Sequence, residues 1–281
     1  MITHLAISGG ASSGIQFVGS LKYLEDTNQL CNVKYYLGTS VGAIIAVLLS
    51  YKNTNYVIEN IKNIQSNLDI NQIDLNRFIL EYGFLSKKSI ITSVEDILKK
   101  TFKTVPTLLD LYNFSKKEVI ISSLNLNTEK IVYFNHKTHP NMIVSHAISL
   151  SMNIPIIFEK EIFENELYID AGLINNLSWE YFNDIHTKNK FGIYLYVDVD
   201  NTQITSCDLK ISQYFINILK IVLKQSGKLY EQTIDIKNEN IFILKDSTLF
   251  SDKLTLPTNE KINEMLLYGY NEIQAYLKKK L

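Results

Sequence analysis

The sequence predicts an α/β fold with a mostly parallel central sheet, in a single domain spanning residues 1–281. Three observations carry this expectation. Two strand-loop-helix units follow one another near the start, and one crossover separates their strands, as adjacent parallel strands require. Residues 191–199 are almost continuously apolar, which marks a strand buried on both faces. Strands and helices alternate to the end with no repeat, low-complexity linker or compositional break to mark a boundary.

In chain order, residues 5–8 form a short apolar strand, followed by Gly9-Gly10-Ala11-Ser12-Ser13-Gly14. Ile15, Val18, Leu21 and Leu24 then recur at three-residue spacing with Phe17 alongside, an amphipathic helix. Three chemistries compete for the glycine loop. A phosphate-binding loop fits the Gly9 to Gly14 separation, but Ile15 and Gln16 stand where Lys and Ser/Thr must reach phosphate and magnesium. A dinucleotide loop fits the same glycines, but Ala11 occupies the second glycine position, where backbone must approach a pyrophosphate. An oxyanion loop needs only free backbone N–H groups beside a nucleophile on the neighbouring strand.

That neighbour is the strand of residues 34–37, which runs into Gly38-Thr39-Ser40-Val41-Gly42 and then the helix-like run 43–49. A serine between two glycines at a strand-to-helix junction is a candidate nucleophile elbow, because so tight a turn leaves no room for side chains on either side. The following helix would aim its unpaired N–H groups and positive dipole end at the serine oxygen. An ordinary glycine-flanked turn has the same five letters, so the pattern needs its context.

Val57, Ile58, Ile61, Ile64 and Leu68 give residues 55–68 a helical spacing. Residues 69–85 are less regular, and Phe78, Ile79, Leu80, Phe84 and Leu85 either cover the site from the surface or anchor a long connection in the core. Residues 89–102 form a cleaner helix with Ile90, Val94, Ile97 and Leu98 inward and Lys87, Lys88, Glu95 and Lys99 mostly on its solvated side. Residues 118–124 and 130–134 make a hairpin, and residues 144–150 a helix stopped at Asn153-Ile154-Pro155. A second hairpin, 159–163 with 166–169, turns at Glu164-Asn165 and delivers Asp170 at a strand end. The loop Asp170-Ala171-Gly172-Leu173-Ile174-Asn175-Asn176 precedes a helix carrying Trp179 and Phe182.

Beyond the buried strand, residues 212–229 read as a long helix with Phe215, Ile216, Leu219, Val222 and Leu223 inward, and residues 240–244 as a last strand. A final helix over 259–280 has Ile262, Met265, Leu266, Ile273, Tyr276 and Leu277 on its apolar face. Lys278-Lys279-Lys280 complement its C-terminal dipole as a solvated cap. The competing reading is a membrane-docking patch.

A hydrophobic share of 46% with 20% charged residues describes a globular chain with a sizeable core. A formal net charge of -1 supplies no basic domain, so no nucleic-acid partner is expected. The single arginine, Arg77, nearly excludes bidentate arginine clamps on phosphate. Cys31 and Cys207 form no disulfide framework or metal-ligand spacing, and neither metal nor cofactor is expected. The start runs straight into glycines without a basic n-region and reads as a strand rather than a signal peptide. No apolar run approaches the roughly 20 residues of a membrane-spanning helix. The expected location is therefore cytoplasmic or peripheral to a membrane, with transient contact.

Three separated blocks, Gly9 to Gly14, Gly38 to Gly42 and Asp170 to Asn176, resemble the glycine loop, nucleophile elbow and aspartate loop of the patatin-like phospholipases. Ser151-Met152-Asn153-Ile154-Pro155-Ile156-Ile157-Phe158 is similar to the family's serine-to-proline segment ahead of the aspartate strand, and the strand pair over 119–134 falls where the family places one. The resemblance spans nearly the whole chain. It implies a three-layer α/β/α fold and a calcium-independent lipid acyl hydrolase of the phospholipase A or lysophospholipase type, acting on phospholipid or lysophospholipid. It further implies Ser40 as nucleophile, Asp170 as its partner in a dyad without histidine, and the N–H groups of Gly9, Gly10 and Ala11 as the oxyanion hole. Gly14, Gly38, Gly42 and Gly172 support these motifs. It names no activating protein partner.

Three positions depart from the family pattern. Ala11 stands where a third glycine is common, Ser13 where a basic residue is common, and Ala171 where glycine usually follows the aspartate. Alanine resists positive φ, so an aspartate loop of slightly different shape is expected, and a weak or inactive lipid-binding effector or scaffold is the alternative function. Aspartate, with an unperturbed pKa of about 3.9, is a poor base near neutrality. The dyad therefore requires Asp170 to be desolvated or bonded directly to Ser40. Ser40, Asp170 and His186 also follow the chain order of an α/β-hydrolase triad, but that fold sets its nucleophile deeper in the sheet. His4, His136, His139 and His146 lack any base or metal spacing and read as surface or structural residues.

Overall fold

A computed structural model describes residues 1–66, 75–197, 211–233, 239–246 and 258–280. Its first half builds β1 (His4–Ile7), α1 (Gly14–Asp26), β2 (Tyr35–Thr39), α2 (Val41–Tyr51), α3 (Thr54–Ser66), α4 (Leu75–Glu81), β3 (Gly83–Leu85), α5 (Lys88–Phe102) and α6 (Leu108–Ser115). The chain continues through β4 (Glu118–Asn125), β5 (Lys130–Phe134), α7 (Val144–Ser151), β6 (Ile156–Phe158), β7 (Glu161–Phe163) and β8 (Glu166–Ile169). Last come β9 (Lys190–Val197), α8 (Ile211–Thr233), β10 (Ile241–Asp246) and α9 (Asn259–Lys280). Leu68, residues 69–74, Val199, Cys207 and the side chain of Ile216 lie outside the described residues.

The main sheet has the order β10-β9-β1-β2-β4-β8-β7, with β5 also on β4. From β10 through β4 every pairing is parallel, while β5, β7 and β8 pair antiparallel. The two expected hairpins are thus present, but β3 and β6 form an unforeseen separate parallel pair. Side-chain alternation splits the sheet into two faces. Leu5, Ile7, Ile121, Ile193 and Leu195 face one core with α1, α2 and α5, whereas Ala6, Leu37, Ile120, Tyr194 and Tyr196 face another with Trp179, Phe182 and Tyr230. Three layers result.

Helix α2 is buried from Val41 through Ser50, which its nearly all-apolar sequence demands. Helices α1 and α9 cross at backbone contact. A Cβ on Gly19 would lie 2.0 Å from the Leu266 carbonyl oxygen and one on Gly269 1.9 Å from that of Gln16, so larger residues would force the helices apart. Ser20 Oγ closes the crossing by donating to the Gly269 carbonyl at 2.8 Å.

Other expectations are corrected. Trp179–Phe182 is a short 3-10 turn rather than a helix, its aromatic rings anchoring the second core. Helix α6 was not foreseen, although Thr107 and Asp110 form a complete capping box at its start. In 75–85 Phe84 and Leu85 are buried core anchors, while Ile79 and Leu80 are exposed and do not line the cleft. Val222 of α8 points outward, and Lys87 is buried.

Register brings the motifs together. Ile121 and Ser122 of β4 pair with Gly38 and Thr39 of β2 on one side and with Phe134 and Tyr133 of β5 on the other. Leu124 and Asn125 pair with β5 as well, so their partners in β8, Ile169 and Tyr168, occupy the same edge as β2. Strands β2 and β8 therefore run head-on along one edge of β4. The next residue of each, Ser40 and Asp170, falls opposite Ser123. Ser123 Oγ ties the junction by donating to the carbonyls of Ile169 (2.9 Å) and Leu150 (3.0 Å).

Candidate active site

Ser40 sits between β2 and α2 with φ 56° and ψ −126°, a conformation costly for any residue with a side chain. Backbone crowding explains the glycines around it. A Cβ on Gly38 would come within 2.4 Å of the Gly42 carbonyl oxygen, and one on Gly42 within 2.4 Å of the Ile7 carbonyl oxygen. The Ser40 amide donates to Ser151 Oγ at 2.9 Å, which holds the turn from behind. Helix α2 starts at the next residue with no side-chain cap, leaving its positive end directed at the elbow.

Asp170 is buried and lines the same cleft as Ser40. Its Oδ1 accepts the Gly172 amide at 2.8 Å. Burial pushes the carboxyl up to about 6, against the opposing pull of the nearby Ser40 hydroxyl, the Gly172 amide and the Lys87 charge. Ala171 adopts no positive φ and begins a 3-10 turn, so alanine fits there without strain and the expected distortion of the aspartate loop does not arise. Strain falls instead on Ala11, with φ 42°.

The glycine loop faces this pair. Gly9, Gly10 and Ala11 line a cleft with Asp170 and Gly172, and Ile154, Leu173 and Leu223 supply its apolar walls. The Gly9 amide is engaged, donating to Asn176 Oδ1 at 2.9 Å, while Asn176 Nδ2 donates to the Gly9 carbonyl at 3.1 Å. Of the expected oxyanion donors, the Gly10 and Ala11 amides have no protein acceptor among the described residues. Gly14 lets α1 pass Val41, whose Cγ1 would lie 2.6 Å from a Cβ there. Ser13 is buried, and its amide donates to the Gly10 carbonyl at 2.8 Å.

Sequence reasoning missed the support beneath Asp170. Its amide donates to the Asn153 carbonyl at 2.9 Å, and Asn153 Nδ2 donates to the Tyr168 carbonyl at 2.8 Å. Lys87 Nζ donates to Asn153 Oδ1 at 2.8 Å and pairs with Glu161, which also accepts from Ser149 Oγ at 2.7 Å. Burial lowers the Lys87 ammonium, with Glu161 opposing. A lysine at a helix start gives no sequence signal for burial, because its partners lie more than one element away.

His186 stands exposed just before β9, at the opposite end of the parallel strands from Ser40, so no triad forms through it. The other histidines have structural surroundings: His4 stacks on Tyr35, His136 on Tyr112, and His139 and His146 pack edge-on to Phe134 and Phe163.

Known proteins resemble the chain in sequence and in fold. An uncharacterized protein of Acanthamoeba polyphaga mimivirus is 28% identical over 269 residues, covering 92% of this chain and 89% of its own. A "Probable lipid hydrolase" of Invertebrate iridescent virus 6 is 30% identical over 192 residues, covering 66% of this chain and 64% of that protein. Among solved structures, VipD from Legionella pneumophila superposes with a TM-score of 0.65 at 15% identity, over 99% of this chain and 67% of VipD. A chain of the ExoU-SpcU complex from the type III secretion system of Pseudomonas aeruginosa gives 0.52 at 14% identity, over 100% of this chain and 52% of that one. These structural likenesses show the shared fold. The patatin-like phospholipase model matches residues 5–183, a stretch that holds the glycine loop, the elbow and the aspartate loop, and the chain belongs to the patatin-like phospholipase family.

Proposed function

We propose that the protein hydrolyses fatty-acyl esters of phospholipid or lysophospholipid through a Ser40-Asp170 dyad and an acyl-serine intermediate, without calcium. The observation that carries this reading is that β2 and β8 deliver Ser40 and a buried Asp170, its pKa raised toward neutrality, to one cleft beside the glycine loop.

In acylation, Ser40 Oγ attacks the ester carbonyl carbon and its proton passes to Asp170. The carbonyl oxygen becomes an oxyanion held by the Gly10 and Ala11 amides, a stabilisation of about 3 kcal/mol for each donor. Collapse breaks the bond to the leaving alcohol, which takes the proton from Asp170. Water then attacks the acyl-serine, Asp170 accepts its proton, and the fatty acid leaves as Ser40 Oγ recovers that proton. The apolar walls at Ile154, Leu173 and Leu223 suit an acyl chain.

Covalent labelling with a fluorophosphonate probe in chelator-containing buffer, followed by mapping of the labelled residue, tests the assignment. Labelling at Ser40, lost in Ser40→Ala, is expected. Labelling elsewhere would overturn the site, and absence of labelling with lipid binding retained would favour the inactive scaffold.

A further inference from the structure

Helix α8 is apolar over more of its circumference than the core uses. Phe215, Leu219 and Leu223 pack inward, whereas Tyr214, Ile218, Ile221 and Val222 are 54%, 38%, 58% and 41% exposed. Their spacing places them on one stripe. Phe215 also packs on Phe78 of α4, ring centroids 5.3 Å apart. Beside Phe78, Ile79 and Leu80 are 68% and 67% exposed, so α4 extends the apolar stripe. Leu223, next to Val222, lines the cleft containing Ser40 and Asp170. The exposed face therefore adjoins the cleft wall.

Charge along α8 selects the occupant. From Ile211 to Tyr230 the helix carries Lys220, Lys224 and Lys228 and no carboxylate. Lys228 is exposed, Lys224 half-buried and Lys220 buried, and Glu231 follows in the last turn. An apolar stripe beside lysines, with acids only at the far ends of α8 and α4, is the pattern of a helix lying in an anionic membrane surface. The C-terminal lysines do not share this face. Lys280 Nζ donates to Asn240 Oδ1 at 3.2 Å, beside the start of β10 and at the opposite end of the parallel strands from Ser40.

We propose that the outward face of α8, extended by Ile79 and Leu80, docks the protein on an anionic phospholipid bilayer so that acyl esters enter the adjoining cleft. This inference rests on the lipid-hydrolase reading.

Flotation of Ser40→Ala protein with vesicles isolates binding from turnover. Vesicles of phosphatidylcholine containing about 30% phosphatidylserine should bind at least about tenfold more tightly than phosphatidylcholine alone, and less as salt rises. Adding Tyr214→Asp and Ile221→Asp should weaken binding by about tenfold or more. Both side chains are solvent-exposed, so the unfolding temperature should stay unchanged and distinguish lost docking from misfolding. Lys279→Glu should leave vesicle binding unaltered. Equal binding by the α8 variant and its parent would overturn the proposal, as would indifference to anionic lipid. A stable dimer with no vesicle affinity would overturn it in favour of a second copy of the chain. Failure of wild type to hydrolyse a water-soluble short-chain ester, with α8-dependent vesicle binding intact, would overturn the hydrolase reading and leave the docking face supported.

Discussion

The side chain of Asn176 clasps the backbone of Gly9, accepting its amide at 2.9 Å and donating to its carbonyl at 3.1 Å. Six residues after Asp170, this amide, with a further Gly9 amide contact to the Asn176 carbonyl at 3.3 Å, fixes the glycine loop to the aspartate loop and so spaces the proposed oxyanion donors from the proposed base. Asn176→Leu should remove both hydrogen bonds at a cost of about 1–3 kcal/mol in stability. It should also lower kcat by roughly 10–100-fold with little change in KM, because the donors matter most in the transition state. Chemical denaturation and steady-state kinetics on a soluble ester would check the two effects separately.

Asp170 must be ionised to accept a proton, and burial lifts its pKa to about 6 from the usual 3.8. Activity should rise with pH through about 6 and then level. The stability sign is opposite. Well below 3.8 the carboxyl is neutral both folded and unfolded, and as pH rises through about 6 the folded protein must hold a buried carboxylate. Asp170→Asn should therefore abolish turnover yet stabilise the fold by up to about 3 kcal/mol at about pH 8, with the gain vanishing by about pH 3. Urea unfolding across that range measures it.

Lys87 acts on Asp170 from a distance, its charge helping to hold that carboxyl down. Lys87→Met should leave Glu161 without its cation, costing about 3 kcal/mol. It should also move the activity midpoint to higher pH, since the remaining environment favours neutral Asp170 more strongly. Adding Glu161→Gln should recover part of the stability but not the pH midpoint. A midpoint unchanged in Lys87→Met would rule out this electrostatic coupling.

Two alanines at family glycine positions should respond with opposite signs. Ala11 has φ 42°, where glycine is easier, so Ala11→Gly should stabilise by about 0.5 kcal/mol once the greater unfolded-state freedom of glycine is subtracted. Ala171 is buried with no positive φ, so Ala171→Gly should destabilise by about 1 kcal/mol. Thermal unfolding of the two variants compares them directly.

By itself the sequence determined the local pieces: the elbow at Ser40, the strand end at Asp170, the two glycine-bearing crossovers and the apolar β9. These were legible because turn geometry and side-chain period depend on neighbouring residues. The capping box of α6 was equally local and went unread. Only tertiary structure decided what is non-local. The outward turn of Val222 follows from which part of a helix with apolar residues around much of its circumference meets the core. Lys87 looked solvated until Asn153 and Glu161, from distant segments, supplied its buried partners. Above all, β2 and β8 share one edge of β4, and their registers bring Ser40 and Asp170 together opposite Ser123. Strand register is fixed by pairing across the sheet, which no local pattern specifies.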